Sequence, residues 1–309
     1  MKILVTGGAG FIGSHLVDLL LTQGHQVVVL DNLSTGKLDN LPASGDALQV
    51  EVGDICCPQT VDKAISGCDA IVHLAAVASV QASVEDPCGT HQVNLVGTLN
   101  LLEAARKNTI KRFVYASSAA VYGNTEDIPV VESTRLKPLT PYAADKLAGE
   151  YYIDFYRRQY GLKPIMFRFF NIFGPRQDPS SPYSGVISIF LQRALAGQSI
   201  SVFGDGEQTR DFVYVTDLVR LLEQAVSTSK NITEPMNVGN GEQTSLNQLL
   251  AAIQGFAENH LEISHYSPRP GDIRYSCADN QRVKQQMDYR SEYSVTEGLK
   301  RTWEWMKSQ

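Results

Sequence analysis

Apolar positions along the chain follow two alternating patterns. Residues 2–6 (KILVT), 26–30 (QVVVL), 48–52, 70–74, 112–117 and 164–170 are short apolar runs rich in β-branched side chains, which read as buried strands. Between them, residues 11–23, 60–66 and 94–107 place apolar side chains at helical spacing, and the first of these stretches stops at Gly24. Strands that are apolar throughout, separated by helices, predict a parallel sheet covered on both faces, hence an α/β fold. The pattern changes after about Pro175. A polar, turn-rich QDPSSPYSG is followed by a helical VISIFLQRALAG, a short ISVFG strand and an RDFVYVTDLVRLLEQAVS segment that runs from strand into helix. Two more helical stretches, SLNQLLAAIQGFAE and TEGLKRTWEWMK, follow. The expected organisation is a region 1–175 built on the parallel sheet and a smaller α/β region 176–309 on the sheet's carboxyl edge, with some chain crossing between them.

Charge and composition narrow the partners. A net charge of −6 argues against nucleic acid, since phosphate backbones need a basic surface. The five cysteines include the neighbours Cys56 and Cys57 and show no zinc spacing, so no metal site is expected and reduced thiols are the simplest reading. No basic leader precedes an apolar stretch, and no run of about 18 apolar residues occurs. The expectation is a cytoplasmic protein with no membrane partner.

The first turn carries candidate chemistry. Gly7, Gly10 and Gly13 lie between a strand and a helix, in GGAGFIG, and Asp31 ends the next strand. Glycines there allow a tight turn, close approach of a pyrophosphate to backbone N–H groups, and close helix–strand packing. Phe11 and Ile12 open the helix. Asp31 would accept from both ribose hydroxyls and would repel a 2′-phosphate, which favours NAD over NADP. Asn32 follows it, and Asp54-Ile55 would frame the adenine, although Asp54 reads equally as a turn residue. Leu74, Ala75 and Ala76 form a small-residue strand end where backbone can pass the cofactor. Asn94 begins a helical stretch and reads either as a cofactor neighbour or as a cap.

Tyr142 and Lys146 stand four apart in PYAADK, with Pro141 suited to a helix's first turn. That spacing puts both side chains on one helix face, about 6 Å apart along the axis. A lysine beside a phenol lowers the phenol's pKa from about 10, making a base for a sugar hydroxyl. Ser118, at the strand end in YASSAAVYG, would bond the same sugar oxygen and pass the proton.

The motifs GGAGFIG, HLAA, SSAAVYG, YAADK, RFFNIFGP, FGDGEQTRDFVYVTD and RPGDIRYSCAD occur in order along the whole chain. Together they resemble the extended short-chain dehydrogenase/reductase family, and within it the nucleotide-sugar epimerases. The resemblance implies a Rossmann-type doubly wound parallel sheet with a C-terminal substrate domain. It also implies tightly held NAD, contacted by Tyr142 and Lys146 as well, and a homodimer through a four-helix bundle. Sister reactions use acids near Ser118 where this chain has Ala119 and Ala120, which leaves C4 epimerisation of a UDP-hexose. The resemblance assigns the diphosphate to Arg210 and Arg269, the phosphate or sugar region to Asn171, and the sugar pocket to the backbone of Gly185 and Val186. It places Phe203 near the uracil, where a core phenylalanine would look the same, and Asp272 with the substrate residues. Ser276 falls where epimerases of plain hexoses resemble one another in carrying tyrosine. A serine there leaves room for an acetamido group, which points to UDP-GlcNAc/UDP-GalNAc interconversion; a one-residue shift would put Tyr275 there instead. UDP-glucose/galactose or UDP-glucuronate epimerisation is the nearest alternative, and a non-catalytic NAD(H)-binding protein the distant one.

Overall fold

The structure is a computed structural model that describes residues 1–179, 185–268 and 273–309. It contains two compact units that alternate along the chain. The first comprises Met1–Gly123, Arg135–Arg168 and Val219–Met236, and the second Asn124–Thr134, Phe169–Leu218 and Asn237–Gln309.

In the first unit, β1 (Lys2–Thr6), α1 (Phe11–Thr22), β2 (Gln26–Asp31), β3 (Leu48–Val52), α2 (Pro58–Ala64) and β4 (Ala70–His73) come first. They are followed by α3 (Val80–Glu85), α4 (Pro87–His91), α5 (Gly97–Lys107), β5 (Arg112–Ser118), α6 (Pro141–Tyr160) and β6 (Lys163–Phe169). The sheet order is β3-β2-β1-β4-β5-β6, with Met236–Val238 as a seventh strand beside β6. Registers from β3 across to β5 are parallel. The order reverses between β1 and β4, the doubly wound arrangement in which ligands sit at the carboxyl ends of the strands.

The uniformly apolar strands are explained by two covered faces. Leu4, Val28, Leu30, Ile71, Phe113, Tyr115 and Met166 pack with Val61, Leu101, Leu102, Ile153 and Tyr156 in one core. Their strand neighbours Ile3, Val5, Val27 and Val29 are equally buried on alternate positions. Helix α6 starts on Thr140, whose hydroxyl accepts the Ala143 N–H, has Pro141 in its first turn, and stops at Gly161 in the left-handed conformation.

One boundary differs from the sequence reading. A helical run continues from Pro87 to Lys107 through a π-helical turn, Gln92–Val96. Asp86 caps its start by accepting the Gly89 N–H at 2.9 Å, so Asn94 lies inside the run and is neither its first residue nor its cap. The weakly periodic PCGTHQ stretch carried too little apolar signal to show this.

The second unit has its own core. Phe173, Ile187, Phe190, Leu191, Val202, Phe212, Leu249, Leu250, Ile253, Leu299 and Trp303 pack together. Strand pairs Asn171–Phe173 with Phe212–Tyr214, and Ile200–Phe203 with Ile263–Tyr266, are parallel.

Gly149 sits inside α6 where alanine would normally stabilise a helix, by about 1 kcal/mol. Here an added Cβ would lie 2.4 Å from the Tyr115 hydroxyl. Gly149→Ala is therefore expected to destabilise by about 1–3 kcal/mol through overpacking. Thermal unfolding of Gly149→Ala, Tyr115→Phe and the double variant checks this: removing the hydroxyl should recover part of the loss.

Candidate active site

The turn after β1 is shaped by backbone crowding. Gly7 has φ +69°, and a Cβ on it would lie 2.8 Å from the Ala75 nitrogen. A Cβ on Gly13 would lie 2.1 Å from the Gly7 carbonyl oxygen, so only glycine lets α1 approach this closely. Gly10 precedes α1, and no side chain caps the helix there, which leaves the N–H groups of its first turn, around Phe11, Ile12 and Gly13, for an anion. Asp31 is buried and accepts from the Ala9 N–H at 3.0 Å and the Leu33 N–H at 2.8 Å. Each carboxylate oxygen keeps a lone pair for a ribose hydroxyl. Asn32 donates to Asp54 at 2.9 Å, and Asp54 also accepts from the Cys56 N–H at 2.8 Å. Burial works to raise the pKa of Asp54, but these hydrogen bonds hold it below the usual carboxylate value. Asp54 thus fixes its own turn and ties it to the end of β2. Ile55 is buried, and its carbonyl accepts from Asn100 at 3.0 Å.

Across the switch point, Leu74–Ala76 leave β4. Asn94 anchors the chain just beyond them, accepting from the Val77 N–H at 2.8 Å and donating to the Val77 carbonyl at 3.1 Å. Beneath this loop lies a chain of groups that sequence reasoning missed. His73 is wedged between Thr6 Oγ1 at 2.8 Å and Thr98 Oγ1 at 2.9 Å. Thr98 donates to the Asn94 carbonyl, so it accepts from His73 Nε2–H, and Nδ1 accepts from Thr6. Burial, with a contribution from Lys146, pushes His73 down to about 3, so the ring is neutral. The HLAA motif was visible, but its histidine gave no sign of a buried relay.

The catalytic candidates meet between β5 and α6. Ser118 sits by Tyr142, on whose phenol it acts to lower the pKa, and accepts from the Ala120 N–H at 3.2 Å. Lys146 is buried, donates to the Ala116 carbonyl at 2.8 Å, and lies 5.1 Å from the Tyr115 ring centroid and 5.9 Å from that of Tyr142. The sequence predicts a lowered Tyr142 pKa, and the structure reverses the direction: burial raises it, with the Ser118 hydrogen bond opposing. The ammonium faces the Ala116 carbonyl rather than the phenol oxygen, and burial lowers Lys146 itself to about 8.

The second unit gathers the nucleotide candidates by itself. Arg210 donates to the Ile273 carbonyl at 2.6 Å, and the Thr209 N–H donates to the Arg274 carbonyl at 3.0 Å, which ties Arg210 to the segment bearing Ser276. Ser276 is half-buried, whereas its neighbour Tyr275 is 49% exposed with the Arg274 guanidinium 5.7 Å from its ring centroid. Phe203 lies against Tyr266, centroids 5.6 Å apart, on the unit's surface strand pair rather than deep in its core. Gly185 immediately precedes the helix Val186–Leu195, and Asn171 is exposed at the start of its strand. Arg269 and Asp272 lie outside the described residues. Asp211 was not anticipated. Fully buried, it accepts from the N–H groups of Asn240, Gly241 and Ala278 at 2.7, 3.0 and 2.9 Å, and burial still pushes it up to about 6.

A profile described as the NAD dependent epimerase/dehydratase family matches residues 3–239. The chain belongs to this family. Membership in the NAD dependent epimerase/dehydratase family makes NAD the cofactor, and the residues fit it: a crowded glycine turn, an uncapped helix start and a buried carboxylate at the end of β2. The UDP-glucose 4-epimerase of Mycolicibacterium smegmatis is 40% identical over 317 residues, covering 100% of this chain and 99% of that protein. The crystal structure of the Thermotoga maritima UDP-glucose 4-epimerase with UDP-glucose is 38% identical, with TM-score 0.93, covering 100% of this chain and 99% of that one. The Methanobrevibacter ruminantium UDP-N-acetylglucosamine 4-epimerase, solved with UDP-N-acetylmuramic acid, is 37% identical, with TM-score 0.95, covering 100% of this chain and 98% of that one.

Gly13→Ala should separate α1 from the turn and weaken retention of the dinucleotide. The purified variant is expected to carry at least about tenfold less NAD than wild type, since a displaced 1 Å contact in such a site costs of that order or more. Enzymatic assay of NAD released by heat checks it.

Proposed function

We propose that this protein is a UDP-sugar 4-epimerase that interconverts UDP-GlcNAc and UDP-GalNAc, with Tyr142 as base, Ser118 as proton bridge and Lys146 as electrostatic partner. The placement of Ser118 and Tyr142 beside a buried lysine carries the mechanism. Ala119 and Ala120, which offer no acid or base beside it, favour simple epimerisation. Ser118 orients the C4 hydroxyl, and Tyr142 takes its proton through the short bridge. NAD, when bound, supplies the hydride acceptor and donor and brings a positive ring that favours the phenolate. Lys146 holds positive charge near the phenol and, lowered to about 8, exchanges protons near neutral pH. Tyr142 returns the proton after the 4-keto sugar has presented its other face. Arg210 and Arg269 are assigned to the diphosphate, which planar guanidinium donors suit. Asn171, Gly185, Val186, Phe203 and Asp272 are assigned to the rest of the nucleotide sugar.

Ser276 supports the N-acetyl substrate. It offers a small side chain, and the tyrosine beside it is turned to solvent against Arg274. The relative solved with UDP-N-acetylmuramic acid favours the same reading, while the relatives named for UDP-glucose favour the plain hexose. Incubation without added NAD, followed by NMR, decides: UDP-GalNAc formed from UDP-GlcNAc is expected. Conversion of UDP-glucose or UDP-glucuronate alone would overturn the substrate while leaving the reaction.

The assembly we propose is a homodimer through α6 and its neighbouring helices. Tyr151, Tyr152 and Phe155 are exposed along α6, an aromatic face of the kind that subunit contacts cover. Among the described residues, no helix is long and apolar enough to cross a membrane.

Tyr142→Phe should lower kcat by at least about a thousandfold, within the range for loss of a positioned base, with NAD still bound. Ser276→Tyr should lower kcat/KM for UDP-GlcNAc by tenfold or more, equivalent to about 1.4 kcal/mol or more, and spare UDP-glucose. Steady-state kinetics on both sugars reads both predictions.

A further inference from the structure

A second buried cluster lies two turns along α6 from the proposed base, and the epimerase chemistry leaves it unused. Glu150 follows Lys146 by four residues and Tyr142 by eight, so all three share a face of the helix. Glu150 Oε1 accepts from Ser117 Oγ and from Arg168 Nε at 3.0 Å; Oε2 accepts from Arg168 Nη2 at 2.7 Å. Arg168 Nη1 donates to the Tyr122 hydroxyl at 2.9 Å, and its guanidinium carbon lies 5.0 Å from that ring's centroid. Glu150, Arg168, Ser117 and Tyr122 are each 4% exposed or less.

These four residues come from α6, β6, β5 and the turn after β5, the elements that surround Ser118 and Tyr142. Ser117 adjoins Ser118 in sequence, so the carboxylate that fixes α6 also fixes the strand end presenting the proton bridge. The hydroxyl of Tyr115, between the two elements, donates to the Lys146 carbonyl at 3.5 Å. A buried ion pair adds little stability over an apolar pair of the same shape, so its geometry and charge balance are the properties to explain.

We propose that Glu150 and Arg168 are positioning residues for the proton transfer: the pair sets α6 against β5, and with it the placement of Ser118 beside Tyr142, and it brings one negative and one positive charge together two turns along the helix from the base. The proposal rests on the reading of Tyr142 as base. The charge at the phenol also depends on the groups of the neighbouring elements. Lys146 and Asp145 come from its own helix, and Asp145 is paired to His91 of α4 at 2.8 Å. Tyr115 and Ser118 come from β5, and His73 of β4 is neutral. Burial raises the pKa of Tyr115, and the Glu150 charge adds to it from the next turn of α6. Within the cluster, the Glu150 carboxylate is balanced by Arg168, whose charge it stabilises against the opposing effect of burial.

The two charges then have opposite expected effects. Glu150→Gln removes one buried negative charge, favours the phenolate, and should move the acid limb of the kcat–pH profile to lower pH. Arg168→Met leaves the carboxylate unbalanced and should move that limb to higher pH. The double variant, isoelectric with the native pair and suited to burial, should return the limb to the wild-type position while kcat stays about ten- to a hundredfold low. Glu150→Asp keeps the charge but withdraws it by one methylene, and should lower kcat without moving the limb. KM for the UDP-sugar and bound NAD should change by less than about threefold throughout.

The experiment is the pH profile of kcat for these four variants, with Tyr142→Phe alongside and bound NAD as the measure of folding. If either single variant does not fold, the double variant and Glu150→Asp still decide. A double variant at full kcat, or Glu150→Asp at full kcat with an unmoved limb, overturns positioning. Single variants whose limbs stay put or move the same way overturn the charge balance. An active Tyr142→Phe would instead remove the base on which the proposal rests.

Discussion

A lysine charge placed between a strand and a helix sets the terms for the centre of the first unit. Lys146 is only 3% exposed, and burial of an ammonium is costly unless polar groups replace its water. The Ala116 carbonyl provides the direct acceptor, and the Tyr115 and Tyr142 rings lie within 6 Å of the charge. For that carbonyl to be in reach, α6 must lie close along β5. Gly149 makes the approach possible by leaving room for the Tyr115 hydroxyl, and the Glu150–Arg168 pair fixes the helix one turn further on. The spacing of Tyr142 and Lys146 supplies the two groups; the packing of the next turn gives them their direction.

The same constraint explains why the resting phenol is not already a strong base. Burial raises the pKa of Tyr142, with Ser118 opposing it, while the Lys146 ammonium is committed to a carbonyl. In the proposed mechanism such a phenol becomes a base when a further positive charge enters beside it. Proton abstraction would then depend on the presence of oxidised cofactor, an ordering that suits a reaction in which the sugar is oxidised before it is reduced again.

Much of this was legible in the sequence, for identifiable reasons. The six principal strands showed themselves because covered sheet faces make most of their positions apolar, even though the edge strand β3 carries Gln49 and Glu51. The glycine turn was legible because φ > 0 at Gly7 and the approach of Gly13 to the Gly7 carbonyl admit no other residue. Tyr142 and Lys146 were legible as a pair because helical spacing converts a sequence interval of four into a shared face. The direction of the pKa shift was not, since it turns on which oxygen the ammonium meets, and Ala116 contributes only a backbone carbonyl. The helix start at Pro87 was hidden by polar residues, and the His73 relay by the fact that its partners, Thr6 and Thr98, are distant in the chain.

Asp211 shows the same limit from the other unit. Beside Arg210 it looks like half of a charged surface dipeptide, yet it is fully buried and its carboxylate gathers backbone N–H groups from two distant segments. One of those groups belongs to Ala278, two residues beyond Ser276. Arg210 grips the same segment from its other end through the Ile273 carbonyl. The adjacent residues Arg210 and Asp211 therefore bracket Ser276, one on each side, and restrict how far that serine can shift. In the proposed UDP-GlcNAc reading, room for the acetamido group would come from the small serine side chain, because the backbone that carries it is pinned at both ends. That reading rests on one residue identity visible in the sequence, whereas the carboxylate that holds the residue in place was not visible there.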